Sequence, residues 1–249
     1  LARSLNYSVN VGAKNLRLKQ NNTVAVVVPY DTRTGQNLSD PFFLALIGSL
    51  ADASTEQGFD LLVSRVDAQR LDLIAQPYHT GRAMGVVLLG QAHHHDEQLN
   101  ELAMRRVPLV VWGAQLPQQL YCTVGSDNVE GGRAATDHLL AQGAQHIAFL
   151  GDSTLPEIAR RHEGYLLAHR LRGLVPDPRL HRPVPLLSTA IDADMEVLLR
   201  NGPPLDAVFA ASDLSAVAAI SVLQRHGKRV PDEVAVVGYD DIPLAVHHR

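Results

Sequence analysis

The chain has a single cysteine, Cys122, among its 249 residues. That excludes an internal disulfide framework and fits a reducing compartment. No motif surrounds Cys122, so it reads as a small apolar filler and not as a nucleophile. No apolar run approaches the ~20 residues needed to span a bilayer. The opening residues, LARSLNYSVN, lack the long apolar region of a secretory signal, so a cytoplasmic protein is expected. A basic surplus is also missing. Lys and Arg number 22 against 26 Asp and Glu, for a formal net charge of -4, so a surface-wide positive field for nucleic acid is excluded. The charge is unevenly placed, however. Residues 1–19 carry Arg3, Lys14, Arg17 and Lys19 and no acid, a short basic arm ahead of a mildly acidic body.

Motifs of nucleotide and acyl chemistry are absent as well. No G-x-G-x-x-G follows the first apolar run, and no G-x-x-x-x-G-K-[ST] occurs, so phosphate binding by a glycine loop has no support. Gly131-Gly132 opens no such loop. There is no G-x-S-x-G nucleophile elbow. Ser212-Asp213 reads as a helix cap. Three of the 12 histidines, His93, His94 and His95, stand in a row before Asp96 and Glu97. Adjacent residues rarely converge on one ion, so this run reads as a solvated loop. No carboxylate pair accompanies a nucleophile or base. Neither an enzyme, nor a metal site, nor a cofactor is expected.

What the sequence does contain is one repeated pattern. A short apolar run is followed by a helix-like segment, a glycine, and another apolar run. Strands are expected over residues 23–28, 59–64, 85–89, 107–112, 147–150, 184–187, 207–210 and 234–237. Helices are expected over residues 41–57, 67–76, 96–106, 129–142, 156–172, 192–200 and 214–226. Asp40-Pro41 suits a helix start, a capping carboxylate followed by a proline in the first turn. Strands alternating with helices of this length mean βαβ units and parallel sheets, an α/β fold. The pattern starts afresh after Gly143. Two doubly wound lobes are therefore expected, over residues 22–143 and 144–249, with a ligand cleft between them.

One stretch stands out, VPDEVAVVGYDDIPLA at residues 230–245. Val234, Ala235, Val236 and Val237 read as a strand buried on both faces. Tyr239, Asp240 and Asp241 follow at its carboxyl end, where open parallel sheets bind ligands. In extended chain the adjacent acids point apart, one toward a ligand and one toward structure. Ile242-Pro243 predicts extended chain beyond. A second stretch, RRHEGY at residues 160–165, opens a helix. It reads either as a surface ion-pair cluster or as an arginine aimed into the cleft.

These stretches, together with SDPFF (39–43), SDNVEGGRAATDHLLAQGAQHIAFLG (126–151) and AVFAASDLSAVAAI (207–220), resemble the LacI/GalR family of bacterial transcription regulators. The resemblance covers nearly the whole chain in the family's order. It implies two lobes like those of periplasmic sugar-binding proteins, with an effector in the cleft. LNYSVNVGAKNLR (5–17) resembles the family's hinge between its DNA-reading headpiece and core. There Leu16 would wedge between base steps, and Lys14, Asn15 and Arg17 would contact groove and phosphates. Residues 1–21 are thus expected to be the headpiece's end and the hinge. The family's helix-turn-helix and closing carboxy-terminal segment are not in the sequence given.

Carried over by position, the resemblance implies effector contacts from Phe42, Phe43, Glu130, Arg161, Ser212 and Asp240. Ser212, shorter than the asparagine common there, would reach a ligand through water. Arginine, acids and an aromatic face describe a sugar or sugar derivative. A purine is the rival effector, disfavoured by two acids and no base-edge asparagine. The expected function is a DNA-binding regulator, a repressor in the first reading, working as a homodimer. Its effector alters operator affinity. The alternative is a transport-type sugar-binding protein of the same fold.

Overall fold

The computed structural model describes residues 21–30, 38–68, 70–90, 96–184 and 188–247. The readings of Lys14, Asn15, Leu16 and Arg17 and of His93, His94 and His95 lie outside the described residues. Two parallel sheets are present. The first holds β1 (Thr23–Tyr30), β2 (Asp60–Asp67), β3 (Gly85–Leu89), β4 (Leu109–Trp112) and β5 (Cys122–Val124) in the order β2-β1-β3-β4-β5. The second holds β6 (Ile147–Leu150), β7 (His181–Arg182), β8 (Ala207–Ala210) and β9 (Ala235–Val237) in the order β7-β6-β8-β9. Every strand pair is parallel. The apolar runs explain the central strands. Ala25 to Val27 and all of β6 and β8 are buried, as strands covered by helices on both faces must be.

Among the described residues, the helices of more than one turn are α1 (Pro41–Glu56), α2 (Asp96–Met104), α3 (Asn128–Ala141), α4 (Pro156–Leu171), α5 (Ser188–Asn201) and α6 (Asp213–Arg225). Asp40 caps α1, its Oδ1 accepting from the Phe42 N–H at 2.8 Å. Ile74, Leu88, Leu99 and Val111 form a core on the first sheet. Ile191, Met195, Val222 and Leu223 do so on one face of the second, and Phe149, Phe209 and Ile158 on its other face. Each fully buried side chain of this size contributes ~1.5–3 kcal/mol. Among the described residues, no helix is long and apolar enough to cross a membrane.

Several expectations need correction. Residues 67–76 form no helix. The β2 ladder with β1 continues to the pair Tyr30 and Asp67, leaving only a 3-10 turn at Leu71–Leu73 and one helical turn at Gln76–His79. Residues 185–187 of the strand expected at 184–187 lie outside the described residues, and a short strand not anticipated pairs His181–Arg182 with Phe149 and Leu150. The three-residue β5 was not anticipated, and Cys122 on it is exposed instead of filling the core. β9 is an edge of its sheet with all three residues half-buried. Pro243 starts a 3-10 turn, not extended chain.

α3 packs on the second sheet: Leu139 and Leu140 join Phe149 and Phe209 in one core. α3 and α4 cross with their backbones in touch. A Cβ on Gly132 would strike the Arg161 carbonyl, and one on Gly164 the Val129 carbonyl. α3 thus shares a core with the second sheet. Gly143, at φ 98°, merely ends that helix.

Candidate functional site

In each sheet the chain leaves a central strand first to one side and then to the other. β1 is followed by β2 on one flank and β3 on the other, and β6 likewise by β7 and β8. Such switch points leave a crevice at the carboxyl ends of the strands. The two crevices meet around one cavity of about 230 Å³, lined from both sheets. Phe42, Phe43 and Trp112 supply an aromatic wall from the first sheet's side, and Leu155 and Ile158 an aliphatic one from α4. The Phe42 ring lies 5.6 Å from Phe43 and 6.1 Å from Trp112, edge-on or tilted, the geometry aromatic quadrupoles favour.

Arg161 is the fixed point of the cavity. It is 9% exposed. Its Nε donates to Asn128 Oδ1 at 2.8 Å, and one Nη donates to the Ala211 carbonyl. Asp240 Oδ1 lies 3.6 Å away. The guanidinium stacks over the Tyr239 ring, 3.6 Å from its centroid, a cation–π contact strengthened by the loss of water. A Cβ on Gly131 would strike the Tyr239 ring. This is the use of Gly131-Gly132: one glycine admits the ring beneath Arg161, the other admits the Arg161 backbone.

Asp240 stands opposite, its side chain 14% exposed. Burial pushes its carboxyl up to about 7; Arg161 opposes that, and the charges of Asp213 and Asp40 add to it. Its backbone is strained, with φ 106° at Asp240 and 54° at Asp241, a conformation costing of order 1–3 kcal/mol for residues other than glycine. Asp213 holds this turn in place. Its N–H donates to the Tyr239 carbonyl at 2.7 Å, and its Oδ2 accepts from the Ile242 N–H at 2.8 Å. Asp240 does face inward, but the chain there is not extended, and the structural acid is Asp213, not its exposed neighbour Asp241.

Two more acids line the cavity. Asp40, the α1 cap, is pushed up by burial against the Phe42 N–H, which lowers it. Glu157, in the first turn of α4, is pushed up mainly by burial and accepts from the Ala114 N–H at 3.3 Å. Of the six positions singled out from sequence, Phe42, Phe43, Arg161, Ser212 and Asp240 line this cavity. Glu130 does not. It is exposed and paired with Arg133 at 2.6 Å. Asp127 caps α3, which places Glu130 at the third helical position, on the outer face. Ser212 is the helix cap that the sequence indicated. Its hydroxyl caps α6, accepting from the Ser215 N–H at 3.2 Å and donating to Ser215 Oγ at 2.9 Å.

Asn128, Glu157 and Trp112 were missed. Signals for two of them existed. Glu157 is four residues before Arg161 and shares its helix face. Trp112 ends a strand at the ligand-bearing edge. Asn128 gave no local signal, because its role is to hold Arg161, 33 residues away. Arg160 pairs with Glu163 at 2.8 Å on the surface, so RRHEGY supplies both a surface pair and an inward arginine. Among the described residues, no group of His, Cys, Asp and Glu could hold a metal ion.

Comparison with known proteins agrees with this architecture. A model of the periplasmic binding protein-like domain matches residues 136–249. The HTH-type transcriptional regulator CelR of Thermobifida fusca is 34% identical over 253 residues, covering 98% of this chain and 72% of CelR. A solved complex of CelR with cellobiose superposes with a TM-score of 0.78 at 32% identity, covering 95% of this chain and 74% of the other. A LacI-family regulator from Sanguibacter keddieii gives 0.76 at 28%, covering 90% and 79%. The operator-bound lac repressor dimer gives 0.84 at 22%, covering 97% and 72%, a likeness of fold. With 34% identity spread over nearly its whole length and 72% of CelR's, the chain belongs to the LacI/GalR family of transcriptional regulators.

Proposed function

We propose that the cavity is the effector site of a sugar-responsive repressor. The observation that carries this reading is Arg161, desolvated and locked at the junction of both sheets, with Asp240 opposite and an aromatic wall beside it. Such a set suits a polyol: carboxylates accept from hydroxyls, the guanidinium donates, and the rings cover C–H faces. Phe42, Phe43, Arg161 and Asp240 are the contacts we assign, with Trp112 and Glu157 added and Glu130 dropped. A purine fits less well. Asn128 is buried, with its Oδ1 accepting from Arg161 and its Nδ2 donating to the Ser126 carbonyl at 3.1 Å, so its amide serves the arginine first. The cellobiose in CelR's complex points to the same ligand class.

In this reading residues 22–125 and 128–249 act as two lobes. Effector binding changes their closure and, in a homodimer, the spacing of two hinge segments on operator DNA. The cytoplasm is where such a regulator works, and it turns over no substrate. Effector and operator are then coupled, typically by ~1–3 kcal/mol in either direction. The transport-type alternative is disfavoured because the relatives are regulators. The test is calorimetric titration of the chain with cellobiose and common monosaccharides, repeated with Arg161→Ala and Arg161→Lys. Wild type should bind at least one sugar. The lysine variant, which keeps the charge but not the fork, should bind it at least 10-fold more weakly while its circular dichroism is unchanged. Equal affinity in a folded Arg161→Lys would refute the assignment.

A further inference from the structure

We propose that this cavity takes uncharged saccharides and rejects acidic ones, and that Asp40 and Glu157 enforce the rejection. The inference rests on the effector reading above and narrows its ligand class.

The argument begins with helix starts. α1, α3, α4 and α6 all open onto the cavity, through Phe42, Asn128, Glu157 and Ser212. Four converging helix starts present unpaired N–H groups and positive dipole ends, which together make a natural anion site. Here the chain caps three of those ends with a side chain of its own and sets an acid, Glu157, in the first turn of the fourth, α4, which has no side-chain cap. Asp40 accepts from the Phe42 N–H, Asp127 from the Glu130 N–H at 3.0 Å, and Ser212 from the Ser215 N–H. Glu157 sits within the first turn of α4 and also takes the Ala114 N–H. An incoming phosphate or carboxylate therefore finds those donors taken.

Charge points the same way. Arg161 is the one cation among the described residues lining the cavity, against Asp40, Glu157 and Asp240. Its Nε and one Nη are engaged by Asn128 and Ala211, and Asp240 Oδ1 lies 3.6 Å from it. Asp40 and Glu157 then face the cavity with Arg161, which also acts on Glu157, as the one cation among the described lining residues. The upward push on all three carboxyls comes mainly from burial, and with Arg161 and Asp240 nearly closed off and Asp40 and Glu157 half-buried, an added negative charge is screened less than in open water. Asp40 and Asp240 already repel one another across the cavity. A hydroxyl, by contrast, donates to these oxygens, and a ligand amine would do so more strongly.

The experiment pairs ligands of one skeleton. Glucose, galactose and cellobiose are titrated into the chain beside glucuronate, galacturonate and cellobionate, with the methyl esters of the uronates as uncharged controls of similar size. The expected result is binding of at least one neutral sugar. Its acid should bind at least 100-fold more weakly, and the methyl ester should recover most of that loss. In Asp40→Asn/Glu157→Gln, where asparagine can still cap α1, the acid-to-neutral ratio should fall at least 10-fold. An acid that binds wild type within threefold of its neutral partner overturns the proposal and leaves the effector reading standing. So does a ratio unchanged in a folded double variant. Failure of every sugar to bind, in either form, would overturn the effector reading and this inference with it.

Discussion

Asp240→Asn should stabilise the empty protein while weakening its effector site. The carboxyl of Asp240 is pushed from 3.8 up to about 7, first by burial, with the nearby charges of Asp213 and Asp40 adding and Arg161 only partly offsetting. Between about pH 4 and pH 7 the native chain therefore holds a proton that the unfolded chain has lost. Stability falls with rising pH wherever the native state binds more protons. Native stability thus drops through that window and is level above it. A shift of about 3 units, at 1.36 kcal/mol each, caps the loss at about 4 kcal/mol. Asparagine has nothing to ionise, keeps an oxygen toward Arg161, and leaves the Asn128 and Ala211 bonds of that arginine intact. Thermal unfolding of wild type and variant should give nearly equal midpoints near pH 4. The variant should then gain steadily up to pH 7 and keep a constant lead to pH 8. At ~2–4 °C per kcal/mol for a chain of this size, a lead of at least 3 °C is expected, and calorimetry should show lost sugar affinity. Two curves that stay parallel from pH 4 to pH 8, or a variant that loses ground as pH rises, would refute the reasoning. If the lead appears together with the binding loss, the carboxylate is kept for its ligand and not for the fold.

Other consequences are more local. Gly132→Ala and Gly164→Ala should each destabilise by ~1–3 kcal/mol, the usual cost of overpacking, because the new methyl meets the backbone of the facing helix; a denaturant midpoint within error of wild type would show that the crossing yields. His162 is pushed down to about 4, first by burial and then by the charge of His181, whose ring stacks on it at 4.1 Å. Between pH 6.5 and about 4 the unfolded chain binds a proton there that the native chain does not, so stability should fall as pH drops through that range, by less than the ~3 kcal/mol of the full shift because solvent reaches the half-buried ring. His162→Gln should flatten that limb in acid titration, and an unchanged limb would assign it elsewhere. In a full-length regulator, Leu16→Ala should lower operator affinity at least 10-fold without altering sugar affinity. Operator titration showing no loss would remove Leu16 as the wedge.

Local chemistry was legible in the sequence wherever a neighbour in the chain decides the outcome. Asp40-Pro41 opened a helix, Gly143 and Gly227 closed two, and the valine-rich runs became central strands. Errors arose where a distant partner decides. β2 outran its expected end because Tyr30 was there to pair with Asp67. α3 packs against α4 because Gly132 and Gly164 let the two helices touch, a contact between residues that no local period links. The candidate site divides along the same line. Glu130 and Glu157 are both early-helix acids followed by an arginine, at three and four residues. On α3 the pair Glu130 and Arg133 lies on the outer face and closes on itself. On α4 the face carrying Glu157 and Arg161 continues through Gly164, Tyr165 and Ala168, all buried. An acid and a base on a helix face that then runs into small and aromatic residues must both enter the interior, where each needs a partner. Arg161 found its partners in Asn128, Ala211 and Asp240, on three other segments. Glu157 found the Ala114 N–H across the seam. The period of α4 alone could therefore have nominated Glu157 over Glu130. What no reading of α4 could supply is the strained turn at Asp240, because the carboxylate that holds it, Asp213, comes 27 residues earlier and acts through backbone groups that any sequence would offer.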